Sequence, residues 1–338
     1  MLGKIILSLI LAVLLVPATA RAASFDCGKA RTPFAKAICT HPDLSKADDT
    51  LAAAFKGVLS GLSAPAKAEV SSAQDAWVKY ANIACTKDAR LPKKPYDADG
   101  ITCLKGLFTD RTGQLANSKT IGGLRFYYID LYAALKDPQP PDFGGTVGLK
   151  QISTPRIDGT DAEAVAFNHF IETGTSNDLN PALVTGLKPD DGSEDDTGSM
   201  LVTTVNPVRI TMTVDFSSYG HGAAHPNYAT TFVHFLRGEN RRLLASDIFA
   251  GEGWQAKFQA IALAALTKQE GEDLMLDDPK SINDLVIDPA RWDFSKDGLI
   301  LQFEPYEVAA YAVGAPTVTI PWTDLTALLG PKAKDFQQ

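Results

Sequence analysis

Two histidines four residues apart lie in Tyr219-Gly-His-Gly-Ala-Ala-His-Pro-Asn-Tyr228. With Asp215 or His234 nearby in sequence, His221 and His225 make the one arrangement in the chain of types and spacing suited to a metal. Two histidines and a carboxylate can hold zinc with an open position that activates water. A His-x-x-x-His pair grips one ion most naturally from a helix face, and Gly220, Gly222 and Pro226 oppose a helix. Hydrogen bonds within the loop, or contact with a partner, are therefore the expected duties, and neither metal nor cofactor is expected. Glu304 and Glu307 could serve glycoside hydrolysis only across a cleft of suitable width, and they read as rim charges. Gly-x-Ser-x-Gly and phosphate-cradling glycine loops are absent. A non-catalytic protein is the expectation.

Tyrosine offers contact area at low entropic cost and concentrates in interface centres. Tyr219, His221, His225 and Tyr228 form one candidate binding loop, and Pro305, Tyr306, Glu307 and Tyr311, between Phe303 and Gly314, form a second. The competing role for these rings is to plug the rim of their own sheet.

Alternating segments must position the loops. Val208 to Phe216 and Tyr228 to Leu236 alternate with a period of two and are expected to pair. Trp292-x-Phe294, the Lys296-Asp-Gly298 turn and Leu299-x-Leu301-x-Phe303 predict a second hairpin, with Val318 and Ile320 closing the set. Helices are predicted over Thr160–Glu172, with Ala162, Val165, Ala166 and His169 inward, and over Trp254–Gln269, with Phe258, Ile261, Ala262 and Ala265 inward. The class is α+β, an antiparallel sheet packed with helices over residues 146–330.

The first third reads differently. Thr32-Pro33 is a helix start, and Phe34 with Ile38, Leu51 to Leu62, Val70 to Ala81 and Leu104 to Leu115 repeat at helical spacing. These predict an all-helical domain over 24–118, in which Trp77 reads as core. All four cysteines, Cys27, Cys39, Cys85 and Cys103, lie here. Their separations lack the close pair of a zinc site. Of three possible disulfide pairings the local one, Cys27 with Cys39 and Cys85 with Cys103, is preferred because each bridge would fasten a helix end to a neighbouring loop.

Ahead of this domain, Lys4, the uncharged run Ile5–Val16 and Ala20-Arg-Ala22 have the form of an export signal over 1–22. Twelve apolar residues are too few to span a bilayer, which takes about 20, so no membrane span is expected in the mature chain. A periplasmic or secreted location follows, where cysteines are oxidised. Removing 1–22 leaves 30 basic and 40 acidic residues, net -10. That balance disfavours nucleic acid and anionic lipid and suits a basic partner. Segment 119–145 connects the domains: Ile121–Leu135 is too apolar for a free linker and reads as a packed helix, and the proline-rich Lys136–Gly145 is the break. Lys188–Ser199 reads as a solvated acidic loop.

Cys27, Ala37-Ile-Cys39, Pro42-Asp-Leu44, Asp48-Asp49, Leu51, Gln74-x-x-Trp77, Cys85, Cys103-Leu104 and Thr109-x-Arg111 resemble the LprI-type lysozyme inhibitor family. Phe55 stands where many members carry tyrosine, and Asn82 where arginine is frequent. The two odd loops, with Pro155–Gly159 ahead of Asn168, resemble the lysozyme-binding domain of RsiV-type anti-sigma factors and the non-catalytic module of PdaC-type peptidoglycan deacetylases. Ala310 replaces a proline frequent in those relatives. The resemblances imply recognition of a lysozyme-like muramidase or of cell-wall glycan. The alternatives are a peptidoglycan-acting enzyme or accessory using a His221/His225 metal site, and an envelope scaffold.

Overall fold

The computed structural model describes residues 23–139 and 145–337. The expected export signal at 1–22 and the centre of the proline-rich break lie outside the described residues.

The cap at Thr32 starts α1 (Pro33–Thr40): its hydroxyl accepts from the Ala35 N–H at 3.1 Å, and Pro33 takes the first turn. Three longer helices follow, α2 (Pro42–Ser60), α3 (Ala64–Ala84) and α4 (Ala98–Ala116), the last two capped by Ser63 and Asp97. They bury Leu51, Val58, Val70, Leu104 and Leu115 together. Trp77 is in this core, edge-on to Phe108 at 5.0 Å. The disulfides are the local pair, Cys27–Cys39 and Cys85–Cys103.

A seven-stranded sheet follows, with its strands in chain order: β1 (Thr120–Ile121), β2 (Leu124–Lys136), β3 (Val147–Ile157), β4 (Glu194–Val205), β5 (Arg209–Gly220), β6 (Asn227–Leu236) and β7 (Arg241–Arg242). Every neighbouring pair is antiparallel except β3 and β4, joined by a crossover that carries α5 (Ala162–Gly174) and the short α6 (Ala182–Thr185). Past α7 (Ala245–Ile248), α8 (Trp254–Glu270) and α9 (Asn283–Ile287) comes a second sheet. It consists of β8 (Trp292–Phe294), β9 (Gly298–Gln302) and β10 (Thr317–Pro321), with β9 central, and α10 (Trp322–Leu325) follows it. The class is α+β as expected, with the strands divided between two sheets.

Three local expectations change. Residues 124–136 form a strand rather than a helix, because β2 has a core on each side: Phe126 and Tyr128 pack under α5, while Tyr127, Ile129 and Tyr132 pack against the helical part. The acidic loop ends early, since Glu194–Val205 is strand β4 and Asp196 is buried as the counter-ion of buried Lys150 at 2.6 Å. On α5 the inward residues are Ala164, Phe167 and Ile171, whereas Val165 and His169 are exposed. The helix turned so as to bury the larger ring of Phe167 against Phe126 and Phe235.

Candidate functional site

Strands β5 and β6 pair from Arg209/Leu236 to Ser218/Asn227, so the connection between them shrinks to 221–226 and projects from the sheet end. The loop after β9 arrives at the same place from the second sheet. His225 stacks on Tyr311 with ring centroids 3.8 Å apart. The Tyr311 hydroxyl donates to the Pro226 carbonyl at 2.7 Å, and Tyr228 and Tyr306 flank Tyr311 at 6.0 and 5.4 Å. Four rings from two distant stretches thus form one outward face. Partial desolvation, then Tyr228 and Tyr306, raise the Tyr311 phenol above the ordinary tyrosine range.

Tyr306 is 63% exposed and has φ +71°, a left-handed conformation that costs a bulky residue energy. Its neighbours hold it there. Glu307 accepts from the Glu304 N–H at 2.7 Å, and Arg291 grips Glu307 with two hydrogen bonds of 3.0 and 2.7 Å. Glu307 therefore anchors the loop instead of facing outward, and burial raises the pKa of Glu304 above the usual carboxylate range despite the same arginine. Pro305 is half-buried beside Tyr306.

The two histidines part company. The His221 side chain is buried, its Nδ1 2.5 Å from Asp137 Oδ2 and its Nε2 3.5 Å from Asp195. His225 stays with the tyrosines. Tyr219 turns back, its hydroxyl donating to the Ala223 carbonyl at 3.2 Å. Asp215 accepts from Thr230, and His234 is buried between Thr211 and the Trp292 carbonyl. Among the described residues no group of three histidines, cysteines or carboxylates is placed to hold a metal ion.

Several residues of the helical resemblance point inward, Ile38, Leu44, Trp77, Leu104 and Arg111 among them. Arg111 Nε donates to Gln74 at 2.9 Å, and its Nη1 to the Tyr132 hydroxyl at 2.9 Å and to Asp130, so Gln74 and Arg111 clasp strand β2. Asp130 sits in an aromatic run whose pattern reads as a helix, so an isolated carboxylate is the only sequence signal of the buried pair. Tyr80 stacks on Tyr132 at 5.2 Å, and Tyr127 donates to Glu69 at 2.8 Å along the same seam.

Residues 27–115 match the family described as Lysozyme inhibitor LprI. Residues 246–323 match DUF3298, described as a protein of unknown function. Among solved structures, a DUF3298-family member from Bacteroides fragilis is 15% identical, with 65% of this chain and 99% of that one covered and a TM-score of 0.43. A DUF3298-family protein from Pseudomonas aeruginosa is also 15% identical, with 62% and 96% covered and a TM-score of 0.41. No curated protein matches the chain. Tyr306 and Tyr311 fall inside the DUF3298 match, whereas His225 and Tyr228 precede it, so the aromatic face straddles its edge.

Proposed function

We propose that this is an exported, non-catalytic envelope protein that engages a lysozyme-like muramidase through the face of His225, Tyr228, Tyr306 and Tyr311. The observation that carries the reading is the convergence of those four rings, from loops about 80 residues apart, on one open surface. Rigid rings exposed around a held, strained backbone suit a partner surface more than a reaction centre. The match to an inhibitor family supplies the partner class, and two disulfides fit an oxidising compartment. Arg111 is engaged by Gln74 and by Asp130 and Tyr132 of β2, and Trp77 is buried against Phe108, which leaves the aromatic face as the better supplied contact.

Calorimetry with egg-white lysozyme at low salt tests the reading. Tyr311→Ala should weaken binding at least about tenfold, as loss of an aromatic anchor does, and Tyr306→Ala should follow. Absence of association with the unaltered chain ends the muramidase reading. Binding of soluble peptidoglycan fragments in its place, lost with the same substitutions, selects glycan as the ligand.

A further inference from the structure

A net charge of -8 hides an opposite local balance. Residues 23–118 carry 13 basic and 10 acidic groups, net +3, whereas residues 119–338 carry 17 and 30, net -13. The positive charge gathers around the segment between α3 and α4. Grooves of about 650 and 360 Å³ share Lys93, Pro95 and Tyr96 in their walls. Six cations line the two grooves, Arg31, Lys36, Lys87, Arg90, Lys93 and Lys94, against two carboxylates, Asp88 and Asp97. Asp97 is already spent, accepting from the Gly100 N–H at 2.9 Å and pairing with Lys87 at 3.0 Å. Among the described residues Lys36, Arg90, Lys93 and Lys94 form no ion pair. Neither groove is lined by a residue of the sheets.

An apolar tip stands among these charges. Leu91 is 71% exposed between Arg90 and Pro92, two residues after Ala89 turns the chain at φ +52°. The segment is pinned rather than loose: the Cys85–Cys103 disulfide closes its base, and the Tyr96 hydroxyl donates to the Asn82 carbonyl at 2.7 Å. A discrete small anion would call for a converging, bidentate site, which scattered lysines on open grooves do not make. A protruding leucine ringed by cations matches a different object, an anionic bilayer, where the apolar side chain enters the acyl boundary and lysines meet headgroup phosphates. From this we infer that the Thr86–Lys94 segment docks the protein reversibly on an anionic lipid surface. The acidic remainder of the chain is repelled by the same surface, so docking orients the molecule with the segment down. Whole-chain charge argues against anionic lipid only as an average, and a bilayer responds to charge within about one Debye length, roughly 10 Å.

Co-sedimentation of the full chain with vesicles tests this, using phosphatidylglycerol–phosphatidylethanolamine against phosphatidylcholine alone. Binding should appear only on the anionic vesicles and fall steeply between 50 and 300 mM salt, on the order expected for screening of several charges. Each lost cation should cost about fivefold, equivalent to about 1 kcal/mol, so Arg90→Glu, Lys93→Glu and Lys94→Glu together should cost at least about a hundredfold. Leu91→Asp should weaken binding about tenfold at unchanged salt slope. All these positions are exposed, so melting temperatures should not move. Equal binding to neutral vesicles, or indifference to the charge reversals, overturns the inference. So does competition by soluble polyphosphate with no preference for vesicles, which would assign the face to a free anionic chain. Low-salt self-association abolished by the same reversals would assign it to the acidic face of a second copy.

Discussion

The helical part and the sheets of this chain meet along β2 and are built on opposite terms. The helices carry both disulfides and a net positive charge, and their basic segment projects unpaired cations around one exposed leucine. The sheets have no cysteine and a large negative excess, and their exposed feature is aromatic; some of their acids are tied down, Glu307 on Arg291, Asp196 on Lys150 and Asp195 on the Leu149 N–H. The difference teaches that overall charge is a poor guide to partners here, because each half meets solvent with its own chemistry. It also implies that the halves should fail under different stresses, provided the seam between them holds.

Breaking the seam should give the largest effect. Arg111 and Asp130 pair at almost no exposure, and the charge of Asp130 raises the Arg111 pKa even though burial pulls it down. Arg111 Nη2 and Asp130 Oδ1 nevertheless find no hydrogen-bond partner, so the pair is costly to bury and costlier to split. Arg111→Met alone or Asp130→Leu alone should lose about 3–5 kcal/mol in urea unfolding, since each strands a buried charge. The two together should lose much less. If the double variant proves as damaged as either single one, the apolar packing of β2 and not its ion pair joins the halves.

Reduction should strike the helical half first. Cys85 and Cys103 are 18 residues apart, and opening a loop of that length costs roughly 3 kcal/mol on the chain-entropy account. Hydrogen exchange on the Cys85→Ser, Cys103→Ser variant should rise in α3 and α4 before β5 and β6. Uniform loosening of both halves would mean they unfold as one unit.

Sequence reveals the two halves unequally, for a physical reason. The helices carry their own signals: Thr32-Pro33 caps α1, and Leu51, Val58 and Leu62 mark one buried side. β5 alternates visibly because its second face carries Arg209, Thr211, Thr213 and Asp215, polar even where Arg209 and Thr211 are buried. β2 does not, because both its faces are buried and its apolar run lacks a period. β4 is hidden because two inward positions are Asp196 and Gly198. At Gly198 an added Cβ would lie 2.3 Å from Leu179, so close packing required the glycine that disguised the strand. Residue types alone flagged the aromatic loops. That His221 turns to Asp137, 84 residues away, and that Arg291 grips Glu307 depend on contacts no local pattern records.

Acid should separate the halves more gently, through His234. His41, in the helical half, is half-exposed, whereas His234 is fully buried in β6. The Trp292 carbonyl lies 2.8 Å from its Nε2 and Thr211 Oγ1 lies 3.0 Å from its Nδ1, a setting that suits the neutral ring. Burial drives its pKa from 6.5 to about 3, reinforced by the charges of Arg209 and Arg242 and opposed by the Trp292 bond. The folded chain therefore refuses a proton that the unfolded chain accepts. His234 contributes its full share of stability above about pH 6.5, and this share falls as the pH drops toward 3, by up to about 1.4 kcal/mol per unit. Carboxylates add their own slope below pH 5, so the useful quantity is the difference between the unaltered chain and His234→Gln. That difference should narrow from pH 7 to pH 5 by about 2 kcal/mol, because glutamine cannot titrate. A gap constant with pH would show that His234 takes up its proton in the fold over the same pH range as in the unfolded chain. Acid lability would then have to come from the carboxylates, and the two halves would respond to acid alike.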